Sequence, residues 1–193
     1  MNPCSEADLP EQLRRFLELR NRLILPDGAV PAAVLVPLFV RDGRYHALFT
    51  RRTDHLQHHG GENSFPGGVL EPEEGAVEGA LREAWEETGI HPDDVAVLGL
   101  LDDIHSIHNY RVTPVVGLIP ADYPYRVNAG EIERLIEPPL DHFARPGAVR
   151  REQRIWQGDV FDVSHYDYLG DDIWGMTAAV LEQLLEFTAE VTR

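Results

Sequence analysis

Lysine is absent from this 193-residue chain, so all 17 of its basic residues are arginines. Any permanently charged side chain that binds an anion is therefore a guanidinium, which suits bidentate contacts with phosphate oxygens. With 33 acidic residues, the formal net charge is −16. A chain this acidic binds nucleic acid and anionic membrane surfaces poorly, so we expect neither as a partner.

Cysteine is nearly absent too, since Cys4 is the only one. The chain can form no intrachain disulfide and no metal site built from several thiolates. No apolar run approaches the roughly 20 residues that span a bilayer; the longest, residues 32–40, contains Pro37. The first residues lack the basic and then apolar pattern of a signal peptide, so we expect a cytoplasmic protein.

Hydrophobic periodicity predicts both helices and strands. Helices are predicted at residues 7–23, 76–88 and 174–191. Strands are predicted at 32–40, 44–51, 95–101, 112–119, 154–157 and 159–163, with the first two forming a hairpin. The segments 53–66 and 121–129 read as loops, and 131–136 reads as a short helix or turn. This mixture lacks βαβ regularity and favours an α+β fold or a three-layer αβα arrangement.

The most informative segment is the run REAWEETGI at residues 82–90. On a helix, Glu83, Glu86 and Glu87 lie on one side within a single turn. Three carboxylates this close repel one another unless a cation neutralises them. Mg²⁺ and Mn²⁺ prefer carboxylate oxygens. The spacing therefore predicts a divalent-cation site on this helix.

Residues 68–90 as a whole resemble the Nudix box, G-x5-E-x7-R-E-U-x-E-E-x-G-U, where U is an apolar residue. A Glu-rich helix face alone would read as a solvated surface, but here nine specified positions match at fixed spacing. The resemblance implies an αβα sandwich with a mixed sheet. We expect that domain at residues 30–193, preceded by an N-terminal helical extension at 1–29. It also implies metal-dependent hydrolysis of a nucleoside diphosphate linked to another group.

The resemblance also implies roles for individual residues of the box. Glu83 and Glu87 would be ligands of Mg²⁺ or Mn²⁺, with Glu86 as a third ligand or close neighbour. The carbonyl oxygen of Gly68 is expected to ligate as well, and the preceding Gly67 would let the backbone come close.

The catalytic group predicted from the resemblance is Arg82, Glu86 and Glu131. Arg82 is expected to orient the helix together with Glu74. The general base is expected to be either Glu131, in a distal loop, or Glu86, in the box. A general base must first lie within reach of the proton that it abstracts.

The segment upstream of the box is similar to a motif of coenzyme A diphosphatases, L-L-T-x-R-[SA]-x-x-L-x-x-H-x-G-Q-x-x-F-P-G-G. In this chain it occupies residues 48–68. Thr53 stands where Ser or Ala is usual, and Glu62 stands where Gln is usual. Residues 173–178 and 128–140 also resemble that subfamily. These matches point to coenzyme A, or a derivative, as the small-molecule substrate.

Arg51, Arg52 and His59 are the predicted substrate-binding residues. Coenzyme A carries a 3′-phosphate besides its diphosphate, so more than one cationic contact is expected. The alternative for either arginine is a surface ion pair, and for His59 a solvated loop position.

Two other functions remain open at this point. One is a Nudix pyrophosphatase for another nucleoside diphosphate derivative, such as ADP-ribose or NADH. The other is a noncatalytic ligand-binding Nudix domain. A homodimer is also expected from the resemblance, with the apolar N-terminal helix as a contributor.

Overall fold

The computed structural model describes residues 9–55, 60–156 and 158–192. His59 lies outside these residues, so its role stays a prediction. The described helices are α1 (Leu9–Leu19), α2 (Ala76–Thr88), α3 (Leu140–Phe143) and α4 (Gly175–Val191). The described strands are β1 (Val30–Arg41), β2 (Arg44–Ala47), β3 (Phe49–Arg52), β4 (Asn63–Ser64), β5 (Gly67–Val69), β6 (Ala96–Leu100), β7 (Ile104–His105), β8 (Tyr110–Leu118), β9 (Ile132–Ile136), β10 (Val149–Trp156), β11 (Asp159–Tyr168) and β12 (Asp171–Trp174).

The central sheet is mixed, with strand order β2-β1-β8-β6 and with β5 beside β1 and β7 beside β8. β1 and β8 are parallel and the other pairs are antiparallel. Successive side chains of a strand point to opposite faces, so both faces of this sheet have a core. Leu35 packs with Ala80 and Ala84 of α2, whereas Val36 packs with residues of α1 and α4.

These contacts make three layers, with α2 on one side of the sheet and α1 and α4 on the other. Leu13 of α1 is fully buried, and Phe16 packs against Phe187 of α4 at 5.3 Å between ring centroids. The predicted αβα sandwich, with its mixed sheet and N-terminal helix, is confirmed. No helix within the described residues is long and apolar enough to cross a membrane.

The structure corrects the predicted end of the first helix and the helix or turn predicted at residues 131–136. The first helix ends at Leu19 rather than at residue 23, because Arg20 and Arg22 leave the helix to bind Asp102 and Asp103, each at 2.7 Å. Residues 131–136 form no helix, since β9 pairs with β3 in a second sheet of order β4-β3-β9. The free energy gained by pairing with the edge of β3 outweighs the local preference of this segment for a helix or turn.

The predicted hairpin at 32–51 is confirmed only as far as Ala47. Its turn uses positive φ angles at Asp42 (52°) and Gly43 (72°), as a two-residue hairpin connection requires. After Leu48 the chain leaves the central sheet and enters the second one as β3. This change of sheet brings Arg52 into contact with Glu87 of α2. A third sheet, β10-β11-β12, contains the two strands predicted at 154–163.

Candidate active site

The acidic helix α2 is fixed at both of its ends. Gly75 donates its backbone N–H to the carboxylate of Glu78 at 3.1 Å, which satisfies a donor at the helix start. At the other end Gly89 adopts a left-handed conformation, with φ 78°, and its N–H bonds to the Trp85 carbonyl oxygen. A glycine in this conformation commonly ends a helix. Ala84 in the middle of the helix packs in the core between α2 and the central sheet.

Arg82 ties this helix to the loop that precedes it. Its guanidinium binds both oxygens of Glu74, at 2.8 and 3.0 Å, and also reaches Glu83 at 2.8 Å and Glu86 at 3.3 Å. The hydrogen bond to Glu74 raises the pKa of Arg82, and the same contact lowers the pKa of Glu74. Arg82 and Glu74, which are predicted to orient the helix together, are thus in contact. Because Arg82 also binds Glu83 and Glu86, three carboxylates hold its guanidinium.

Glu87 is the most deeply buried of the three helix carboxylates, with a side chain only 4% exposed. Its oxygens contact Arg52 at 3.2 Å and the backbone N–H of Gly67 at 3.3 Å. Burial, joined by the carboxylates of Glu83 and Glu131, raises the pKa of Glu87 to about 8, although Arg52 and Gly67 act in the opposite direction. A buried carboxylate among other carboxylates favours a cation beside it.

Gly68 lies directly against the carboxylate of Glu83. A Cβ placed on Gly68 would come within 2.6 Å of that carboxyl group, so a larger residue here would displace the side chain of Glu83. The missing side chain therefore lets the backbone of β5 lie close to a box carboxylate. Such proximity suits two residues that share one ligand.

As the side chains stand, no three Asp, Glu, His or Cys residues within the described parts of the chain converge on one metal position. The reason is visible in the ion pairs, since Arg82 holds Glu83 and Glu86 while Arg52 holds Glu87. The donor set nevertheless fits Mg²⁺ or Mn²⁺, because it consists of carboxylates beside a glycine backbone.

Glu131 is carried to the same end of α2 by a loop that bonds to the helix backbone. Asn128 donates its N–H to the carbonyl oxygen of Glu87 at 2.9 Å, and its side-chain amide donates to the Glu131 carboxylate at 3.2 Å. Thr53 N–H also donates to the Glu131 carbonyl oxygen at 2.8 Å. The predicted distal base is thus held on a loop bonded to the end of α2, and its charge contributes to the raised pKa of Glu87.

The two arginines at the end of β3 bind different partners. Arg51 bonds to Glu133 at 3.0 Å and lies 3.9 Å from Asp171, away from the acidic helix. Arg52 instead binds Glu87. The structure therefore brings Arg52, but not Arg51, together with the predicted metal ligands.

Sequence reasoning missed two contributors, Asn128 and the backbone N–H of Gly67. Neither carries a charge, and each acts on a residue distant in sequence, so no spacing pattern points to them. The segment Asn128-Ala-Gly-Glu131 signals a turn, and the Asn128 side chain indeed accepts from Gly130 N–H at 3.1 Å. That signal predicts the turn but not its contact with α2.

Comparison with known proteins agrees with this geometry. A NUDIX domain profile matches residues 29–144. The chain is 40% identical over 180 residues to a protein named Uncharacterized Nudix hydrolase NudL from Escherichia coli (strain K12), covering 91% of this chain and 92% of the relative. It is 38% identical over 178 residues to the protein of the same name from Shigella flexneri, with the same coverage.

Solved structures show the fold. The Nudix hydrolase RenU from M. smegmatis superposes with a TM-score of 0.58 at 20% identity, covering 86% of this chain and 96% of that one. A MutT/nudix family protein from Enterococcus faecalis superposes with a TM-score of 0.53 at 15% identity, covering 98% of this chain and 75% of that one. On the profile match and the close relatives together, the chain belongs to the Nudix hydrolase family.

Proposed function

We propose that this Nudix hydrolase cleaves the diphosphate linkage of coenzyme A, or of a coenzyme A derivative, to 3′,5′-ADP and 4′-phosphopantetheine. The observation that carries the proposal is the contact between Arg52 and Glu87. It joins the upstream motif at residues 48–68, which resembles that of coenzyme A diphosphatases, to the acidic helix of the box. The segment that suggests the substrate and the segment that suggests the chemistry thereby form one site.

Glu83, Glu87 and the Gly68 carbonyl would hold Mg²⁺ or Mn²⁺, with Glu86 as a further ligand or close neighbour. When bound, such a cation supplies positive charge that stabilises the phosphate oxygens as the anhydride breaks. The protein contributes the placement of these groups. Arg82 fixes the helix against the loop of Glu74, and Gly68 leaves room for the carboxylate of Glu83.

Glu131 is the better placed of the two candidate bases. Glu86 is more than half exposed and is paired with Arg82, whereas Glu131 is held by the amide of Asn128 and lies beside Glu87. In the proposed step, Glu131 takes a proton from water while the water oxygen bonds to one phosphorus of the diphosphate. The P–O bond of the anhydride breaks, and its bridging oxygen leaves with the other phosphate.

Arg51, Arg52 and His59 remain the proposed substrate contacts, in two different roles. Arg52 lies beside the diphosphate position, next to Glu87. Arg51 lies among Glu133, Asp54 and Asp171, so a substrate phosphate would have to compete with those carboxylates for it. We therefore expect Arg51 to contribute less to binding than Arg52.

A substrate panel tests the proposal. Purified protein is incubated with Mg²⁺ or Mn²⁺ and separately with coenzyme A, its thioesters, ADP-ribose, NADH, diadenosine polyphosphates and deoxynucleoside triphosphates. Coenzyme A or a thioester should have the highest kcat/KM. Faster turnover of ADP-ribose or NADH would support the second candidate function, and binding without turnover would support a noncatalytic domain.

Assembly is a separate proposal. We infer a homodimer that uses the apolar residues at the end of α1 and just after it, where Leu19 is 72% exposed, Leu23 57% and Ile24 62%. Apolar side chains grouped at the surface often mark an interface. Light scattering at micromolar concentration should give twice the chain mass, and a monomer at that concentration would contradict the inference.

A further inference from the structure

Glu87 is bound by an arginine from outside the box. Arg52, the last residue of β3, places Nη1 3.2 Å from Oε1 of Glu87, and the N–H of Gly67 donates to the other oxygen at 3.3 Å. The side chain of Glu87 is 4% exposed and that of Arg52 is 22% exposed. Water screens such a pair weakly, so the attraction between the two charges is stronger than at an open surface.

The two arginines of this site differ in how firmly they are held. Arg82 contacts three carboxylates, one of them with two nitrogens, and also the carbonyl oxygen of Val69. Among the described residues, the guanidinium of Arg52 contacts a single carboxylate through one nitrogen. In the parts of the chain that the structure describes, the buried Nε of Arg52 has no acceptor. Since a guanidinium has five N–H donors, Arg52 retains capacity for another anion.

We propose that Arg52 is the counter-ion of Glu87 in the cation-free protein and that it exchanges this partner for the substrate diphosphate. The inference rests on the proposed function, because it takes Glu87 as a ligand of the divalent cation. A buried carboxylate is costly without a positive neighbour, and Arg52 supplies one before the cation is bound. Afterwards the guanidinium and the cation repel each other, and phosphate oxygens become the best remaining acceptors for Arg52.

Arg52 is therefore a positioning residue for Glu87 first and a substrate contact second. It orients the carboxylate, and it weakens binding of the cation by competing for the same oxygens. Arg51 offers a matched comparison, since it is the adjacent arginine on the same strand but binds Glu133 and Asp171 instead.

The test is a titration of the metal-free protein with Mn²⁺ alone, with free Mn²⁺ followed by electron paramagnetic resonance. Arg52→Gln should bind Mn²⁺ about tenfold more tightly than the wild type, because a competing positive charge is removed from a poorly solvated site. Arg51→Gln should bind Mn²⁺ as the wild type does. Equal or weaker binding by Arg52→Gln would overturn the inference. A wild type that binds no Mn²⁺ would overturn both this inference and the proposed function.

A second measurement uses the wild type, so it does not depend on how a variant folds. In the ¹⁵N-labelled protein, the Nε–H resonance of Arg52 should shift on addition of Mg²⁺, whereas that of Arg51 should stay in place. Adding a nonhydrolysable diphosphate substrate analogue should then shift the Arg52 resonance again. An Arg52 resonance that is unmoved at saturating Mg²⁺ contradicts the exchange, whatever the activity.

Discussion

Asn128 donates its backbone N–H to the carbonyl oxygen of Glu87 at 2.9 Å, and its side-chain amide donates to Glu131 at 3.2 Å. One residue thus connects the backbone of Glu87, the buried glutamate of the box, to the proposed base in a distal loop. The backbone bond survives any substitution except proline, whereas the side-chain bond can be removed alone. The placement of Glu131 can therefore be weakened while the path of the loop is kept.

Replacing Asn128 with Ala should lower kcat more than it changes KM. Removing the amide leaves the Glu131 carboxylate without its donor, and a base that is less well oriented transfers protons less efficiently. We expect a loss of about tenfold in kcat, of the size seen when groups that orient catalytic residues are removed. Steady-state kinetics with the best substrate measures it. An unchanged kcat would show that Asn128 does not position the base.

Replacing Glu83 with Gln should abolish most of the turnover. The amide keeps the shape of the side chain but loses the negative charge that a hard cation requires. Activity should fall more than about 100-fold, because even the loss of groups that support metal ligands costs 10–100-fold. Mn²⁺ binding should weaken in parallel. Wild-type activity in this variant would remove Glu83 from the proposed cation site.

Replacing Gly68 with Ala should weaken cation binding without unfolding the protein. The new methyl group would lie 2.6 Å from the Glu83 carboxyl, so this carboxylate must move. Calorimetric titration with Mn²⁺ measures the loss of affinity.

Gly75→Ala is the matched control for that substitution. Its Cβ would meet nothing closer than a Glu78 oxygen at 3.5 Å, an ordinary contact, and its φ of −77° suits any residue. It should bind Mn²⁺ as the wild type does. If the two variants behave alike, the close approach of Gly68 to Glu83 has no functional meaning.

Replacing Leu13 with Ala tests whether the N-terminal helix is part of the folded domain. Leu13 is fully buried in the core shared by α1, the central sheet and α4. Its truncation should cost about 2–5 kcal/mol of the free energy of unfolding, as for other buried leucines. Glu18→Ala, at an exposed position on the same helix, should cost less than about 0.5 kcal/mol. Urea denaturation measures the free energy of unfolding of both variants. If the two variants are equally stable, the N-terminal helix is an extension that is separable from the folded domain.

The parts of the site that could be predicted from sequence are those encoded within one element. The three- and four-residue spacing of Glu83, Glu86 and Glu87 places them on one side of a helix wherever that helix packs. The glycine at position 89 likewise marks the helix end, because a left-handed residue is needed there. These features follow from backbone geometry alone.

The parts that could not be predicted depend on where distant segments meet. The contact between Arg52 and Glu87 spans 35 residues and exists only because β3 leaves the central sheet after Leu48. The sequence of β9 alone predicts a helix or turn. Its conformation as a strand is set by pairing with β3, a segment distant in the sequence.

The most direct test of the account is to identify the products formed from coenzyme A. Wild-type protein, Mn²⁺ and coenzyme A are incubated together and separated by liquid chromatography with mass detection, with Glu83→Gln as the inactive control. The wild type should yield equal amounts of 3′,5′-ADP and 4′-phosphopantetheine, and neither product when the cation is chelated. Intact coenzyme A after prolonged incubation, in a preparation that hydrolyses ADP-ribose or NADH, would contradict the proposed cleavage of coenzyme A.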